Sequence, residues 1–159
     1  MIKKAIDLGV SKINVNTEVD LVGVFVQNNQ KFYKNKFDKM KESGKSISWN
    51  WAAFFMGIYW MVYRKMYFKA GAFLLLSMVA LQTPYIGSIL NFCILVGIAV
   101  YANALYLDHV EGNIKKASMI FPHDKEAVLR KKGGTNLPLT IALAVVQIVV
   151  VSIVFGTIL

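Results

Sequence analysis

Long stretches without a charged side chain alternate along the chain with short stretches crowded by lysine. No Asp, Glu, Lys or Arg occurs from Ala70 to Leu107, 38 positions, or from Leu137 to Leu159, 23 positions. Runs of this kind signal membrane-spanning helices, which need about 20 mainly apolar residues to cross roughly 30 Å of hydrocarbon. As one helix the first run would be about 57 Å long at ~1.5 Å per residue, so it must fold back. Thr83-Pro84-Tyr85-Ile86-Gly87 supplies the break, because proline ends a helix and glycine permits the turn. The pattern predicts helices over about 66–82 and 86–107. A third crossing is predicted over 137–159, introduced by Gly133-Gly134 and by Asn136-Leu137-Pro138, with the proline tolerated in a first turn. Its β-branched residues would suit a strand in water, but a lone strand in lipid leaves its backbone unpaired, which favours helix.

Trp51 to Tyr63 is a further apolar stretch of 13 residues, about 20 Å as a helix and too short to cross comfortably. If it crossed, the nine basic residues before it would face one compartment and the nine after it the other; if it does not, all 18 Lys and Arg fall on one side. The positive-inside bias selects the second arrangement. The stretch therefore reads as an interfacial or half-inserted helix, with Trp49, Trp51, Tyr59, Trp60 and Tyr63 as anchors at the membrane surface. Ala53 and Gly57 offer a smooth face for helix packing. Before it, Lys31 to Lys45 carries six lysines against Asp38 and Glu42, with Tyr33, Phe37 and Met40 at helical spacing. This predicts a basic amphipathic helix lying on the membrane, its lysine stems snorkelling. Lys31, Lys34, Lys36, Lys39, Lys41, Lys45, Arg64, Lys65 and Lys69 are the candidate contacts to anionic lipid headgroups.

The expected fold is thus an all-α integral membrane protein with three transmembrane helices, a short aromatic helix and a basic N-terminal helix. Its segments run 1–30 (uncertain fold), 31–45 (basic helix), 46–65 (aromatic helix), 66–107 (hairpin), 108–136 (cytoplasmic loop) and 137–159 (last crossing). The N-terminus is expected in the cytoplasm and the C-terminus outside it.

Composition agrees: 56% of residues are hydrophobic and the mean hydropathy is +0.49, too apolar for an ordinary water-soluble domain. The net charge of +9 lies wholly outside the two apolar runs. Beside such runs basic residues mark the cytoplasmic face and anionic lipid rather than nucleic acid. The single cysteine, Cys93, lies in an apolar run, cannot form an intramolecular disulfide and reads as a buried structural thiol. Asp7, Lys12 and Asn14 follow Lys3 and Lys4 before any long apolar stretch, so no cleavable signal peptide is expected.

Ser48-Trp49-Asn50-Trp51-Ala52-Ala53-Phe54-Phe55, then Trp60 and Tyr63-Arg64-Lys65-Met66-Tyr67, resemble a family of small bacterial membrane proteins known only as domain of unknown function 2628. Phe32-Tyr33 with Phe37, and Tyr101-Ala102-Asn103-Ala104-Leu105-Tyr106, are also similar to it, so the resemblance covers about residues 31–110. The chain departs from the family at Met56-Gly57-Ile58, where a glycine-proline pair is common. The resemblance implies a bacterial inner-membrane protein and no activity. Residues 2–18 separately look like a strand-end segment of class II fructose-bisphosphate aldolase, in which an Asn-x-Asn/Asp-Thr stretch helps bind substrate phosphate. Asn14, Asn16 and Thr17 are the matching positions. An aldolase barrel takes roughly 250 residues and its zinc needs several histidines, whereas this chain has two, so the stretch reads as a fused fragment or a coincidental short motif and not as the enzyme.

Asp108, His109 and Glu111, with His123-Asp124, show no ligand spacing, and no metal or cofactor is expected. Asn91, Asn103 and Gln147 are the polar residues within the crossing helices and read as interhelical hydrogen bonders. Without a charged pathway or a catalytic set, the expected role is a non-enzymatic membrane interaction protein, for example an accessory subunit of a larger assembly, with lipid and a protein partner or further copies as its contacts. An oligomeric channel or transporter, or an immunity or exclusion factor, are the alternatives.

Overall fold

The computed structural model describes residues 21–158, and among them all regular structure is helical. After a helical segment at 21–26, the elements are α1 (Gln30–Ser43), α2 (Trp51–Met56), α3 (Ile58–Tyr63), α4 (Tyr67–Leu81), α5 (Gly87–Ile120), α6 (Lys125–Lys132) and α7 (Leu137–Ile158). They form two compact units. The described part of one comprises residues 21–44 and 107–134; the other comprises 45–106 and 135–158, so α5 contributes to both.

In the first unit, Tyr33, Phe37 and Met40 of α1 are buried as their i, i+4, i+7 spacing requires. Gly44 closes α1 in the left-handed conformation that glycine adopts most readily. The stripe, expected to face a membrane, is buried within the protein, as are Phe25, Val26, Val110, Ile114 and Leu129 of the same unit. The reason is that α5 does not stop at Leu107. Where a loop was expected, Val110, Ile114 and Ala117 repeat the helical spacing and bury one face, and the chain stays helical until Phe121-Pro122. Lys41 and Glu111 form an ion pair of 2.8 Å, but both are over 40% exposed, so it adds little.

The second unit contains the hairpin. Gln82 to Ile86 make the turn, with Tyr85 at φ 66° and fully exposed, and α5 returns against α4. Asn91 Nδ2 donates to the Ser77 carbonyl at 3.2 Å, and Lys69 Nζ donates to the Leu105 carbonyl at 2.7 Å. These bonds fix an antiparallel register from the foot of the hairpin to near its tip. A Cβ on Gly87 would stand 2.8 Å from the Ala80 carbonyl oxygen, so glycine is what lets the two helices of the hairpin converge there.

The count of spans is corrected by length. Two helical stretches are long and apolar enough to cross a membrane: α5, and the C-terminal stretch that contains α7. The third, α4, has 15 residues, about 22 Å at ~1.5 Å each, because Lys65 at φ 58° breaks the chain before it and the Pro84 turn ends it. The aromatic stretch is also corrected, from one helix to two six-residue helices. Gly57, at φ 52° and ψ −125°, separates α2 from α3 without the proline common in the resembling family. Cys93, expected to be buried, is exposed.

One local constraint is directly testable. Gly133 and Gly134 return the chain past the 21–26 segment: the Gly134 N–H donates to the Phe25 carbonyl at 2.7 Å, and a Cβ on Gly133 would collide with that carbonyl and reach 2.9 Å from the Leu129 oxygen. Gly133→Ala is expected to destabilise the first unit by about 1–3 kcal/mol through overpacking. Gly112→Ala, which meets nothing within 4 Å on a helix, is expected to be neutral or stabilising by up to about 1 kcal/mol. Thermal unfolding of the two variants in detergent separates them; equal melting temperatures would contradict the close approach.

Candidate functional site

Ser48, Trp49 and Asn50 precede α2 outside any helix, Asn50 with an extended backbone, and such a segment must find partners for its backbone. It finds them on α5. The Ser48 N–H donates to the Val100 carbonyl at 3.0 Å and the Asn50 N–H to the Ala99 carbonyl at 2.9 Å. A carbonyl oxygen has two lone pairs, so helical carbonyls can accept such bonds in addition to their own. The Asn103 carboxamide, fully buried, completes the arrangement. Its nitrogen donates to the Ser48 carbonyl (3.2 Å) and hydroxyl (3.1 Å), while its oxygen accepts from Asn50 Nδ2 at 2.9 Å. The Asn50 oxygen in turn caps α2 by accepting from the Ala53 N–H at 3.0 Å.

Around this amide network stand the aromatic side chains. Trp49, Trp51, Phe54 and Phe55 form a contiguous group with ring centroids 5.2–6.2 Å apart, of which Trp51 and Phe55 are exposed. Trp60, expected at a membrane surface, is instead buried edge-on against Tyr106. Arg64, expected at lipid headgroups, is 2% exposed, its guanidinium 5.5 Å from the Tyr63 ring centroid and 5.3 Å from that of Tyr106. Two aromatic faces can hold a guanidinium away from water because Arg is weakly hydrated and attracted to the ring quadrupole.

The helix-packing residues divide. Ala53 is buried, Gly57 lies against Leu95, and Asn91 and Asn103 bridge segments as expected. Gln147 does not: it is exposed near the middle of α7. Asn136 was missed as a junction residue. Its N–H donates to the Tyr63 carbonyl at 2.9 Å, its amide nitrogen to the Tyr67 hydroxyl at 2.8 Å, and its side-chain oxygen accepts from the Leu139 N–H at 3.2 Å to cap α7. An asparagine just before Leu-Pro and an apolar run is the sequence signal that could have found it.

The candidate headgroup lysines Lys31, Lys34, Lys39, Lys41 and Lys45 are exposed, and Lys36 and Lys65 half-buried. Lys31, Lys34 and Lys41 share a cleft of about 1070 Å³ in the first unit with Arg130. Among the described residues, no three His, Cys, Asp or Glu side chains come together as a metal site, and the His109 ring lies edge-on to Phe25, 5.6 Å between centroids. Asn14, Asn16 and Thr17 lie outside the described residues.

These features define an all-helical protein with two stretches long and apolar enough for a membrane, whose irregular segment is fastened by buried amides. The chain belongs to the family of unknown function DUF2628, whose model matches residues 16–111. No curated protein and no solved structure matches it. The family match takes in both partners of the amide network, 48–50 and 99–103, and the aldolase-like segment at 2–18 lies almost wholly outside it.

The network makes a quantitative expectation. Asn103→Ala strands the Asn50 amide in the interior and is expected to cost about 1–3 kcal/mol. Asn50→Ala removes its partner, so the double variant is expected to lose less than the sum of the two single losses. Denaturation of the three variants measures the coupling; strict additivity would contradict it.

Proposed function

We propose that the chain is a non-enzymatic, multi-pass interaction protein of a bacterial cytoplasmic membrane, an accessory subunit that binds a membrane partner or further copies of itself. In this reading the hairpin α4–α5 and then α7 enter lipid from the cytoplasmic face. The observation that carries it is the meeting of three apolar helices at their polar ends. Tyr67 opens α4 and Asn136 precedes α7, and the two side chains are hydrogen-bonded; Lys69 on α4 reaches Leu105 on α5. Away from that level the helices expose Leu75, Met78, Ile89, Phe92, Ile141 and Ile148. Lipid is the solvent in which such surface costs nothing.

The hairpin register supports a common side for its two feet whatever depth α4 reaches. A hairpin whose feet are bonded together leaves both feet on one side, so a short α4 does not change the parity of crossings. Only α7 carries the chain across for good, placing the C-terminus outside the cytoplasm with every Lys and Arg inside. The interaction role is supported by Gln147, a carboxamide exposed near the middle of α7 where hydrocarbon offers it no hydrogen bond.

A reporter that is active only outside the cytoplasm, fused after Leu159, is expected to be active; activity confined to a cytoplasm-only reporter would refute the orientation. In mild detergent the chain is expected to co-purify with a stoichiometric partner or as an oligomer. Gln147→Leu is expected to weaken that association by about 0.6–2 kcal/mol while Gln147→Asn retains most of it. A monomer alone in every preparation would remove the interaction role.

A further inference from the structure

The cleft in the first unit sorts the lysines of α1 into two sets. Lys31, Lys34 and Lys41 line it together with Arg130 of α6, whereas Lys36 and Lys39 do not. On a helix, positions 31, 34, 38 and 41 recur every three to four residues and so share a face, which is why Asp38 lines the cleft as well. The second carboxylate is Glu126; with Lys41 already paired to Glu111, Lys31, Lys34 and Arg130 leave three cations against two anions. Part of the remaining wall is apolar, including Val22, Phe37 and Leu107, and Leu107 is the residue at which the uncharged run of α5 ends.

The wall is also held in place. Gln27 Nε2 donates to the Arg130 carbonyl at 2.7 Å, and the Gly134 N–H to the Phe25 carbonyl, so the 21–27 segment is braced against α6 and the stretch that follows it. A generic basic surface would be convex and open; this one is concave, half enclosed and mixed in character. Converging cations recognise a compact anion, and phosphate is the one whose oxygens take several N–H donors at once. The carboxylates reject a second strongly anionic group and accept hydrogen bonds from hydroxyls, and the apolar wall suits a hydrocarbon portion.

We propose that this cleft is a binding site for a phosphate ester that carries hydroxyls, either the headgroup of an anionic phospholipid such as phosphatidylglycerol or a free ester such as glycerol phosphate. The lipid source rests on the membrane reading above; the phosphate chemistry does not.

The test is native mass spectrometry of the full chain in mild detergent, titrated separately with phosphatidylglycerol, phosphatidylcholine and glycerol phosphate. Wild-type protein is expected to retain phosphatidylglycerol over phosphatidylcholine. The triple variant Lys31→Gln, Lys34→Gln, Arg130→Gln is expected to lose about tenfold or more of that retention. Lys115→Gln, Lys116→Gln, Lys132→Gln removes the same charge from exposed positions outside the cleft and is expected to bind as wild type. Retention of glycerol phosphate with the same dependence on the cleft residues, and no lipid preference, supports the free ester as source. Equal losses in both triple variants, or no phosphate-bearing adduct at all, overturns the site. All six positions are exposed, and matching helical circular dichroism confirms that each variant is folded. Failure here leaves the orientation experiment untouched, so the two proposals are judged separately.

Discussion

Asn103 sits fully buried in α5, and a buried carboxamide must be satisfied or it costs the fold more than a hydrogen bond is worth. Its partners are the backbone and side chains of residues 48–50, the segment least able to satisfy itself. That mutual need places α2 and α3 against α5, with the Asn50 side chain capping α2. From there α3 runs to Tyr63, whose carbonyl receives the Asn136 N–H at the start of α7. The second unit is thus assembled through amide groups at its polar end, while its apolar helices project from it with little of their surface covered.

Such a division suits a medium without water. In water the exposed faces of α4 and α7 would drive association; in lipid they are solvated, and specificity has to come from hydrogen bonds and close packing of small residues. Ala53 and Gly57 supply the close packing, and Asn91 the bond between the arms of the hairpin. Arg64 shows the same logic for charge. Enclosed by Tyr63 and Tyr106 and with Trp60 nearby, it is kept within the protein at the junction between α3 and α4.

The apolar faces and the hairpin were legible in the sequence because they depend on local signals: uncharged runs, Pro84, and the spacing of Tyr33, Phe37 and Met40. The split of the aromatic stretch was not, since an all-apolar stretch has no periodicity to show where Gly57 turns. The length of α4 was misread for a related reason, as nothing local shows Lys65 taking a left-handed conformation. The burial of Arg64 depends on Tyr106, forty-two positions away in the chain, and Arg64 was assigned to the headgroups from charge alone. Gln27 and Arg130, which brace the cleft, are separated by 103 positions and share no pattern.

The central claim is that both feet of the hairpin lie on one side of a membrane. The most direct measurement labels single cysteines at Ser46, before the hairpin, and at Ser118, after it, in a Cys93→Ala background; both positions are exposed. With a membrane-impermeant reagent on intact bacterial cells, neither cysteine should react until the membrane is opened, and then both should. Labelling of one but not the other in intact cells would put the feet on opposite sides and contradict the account.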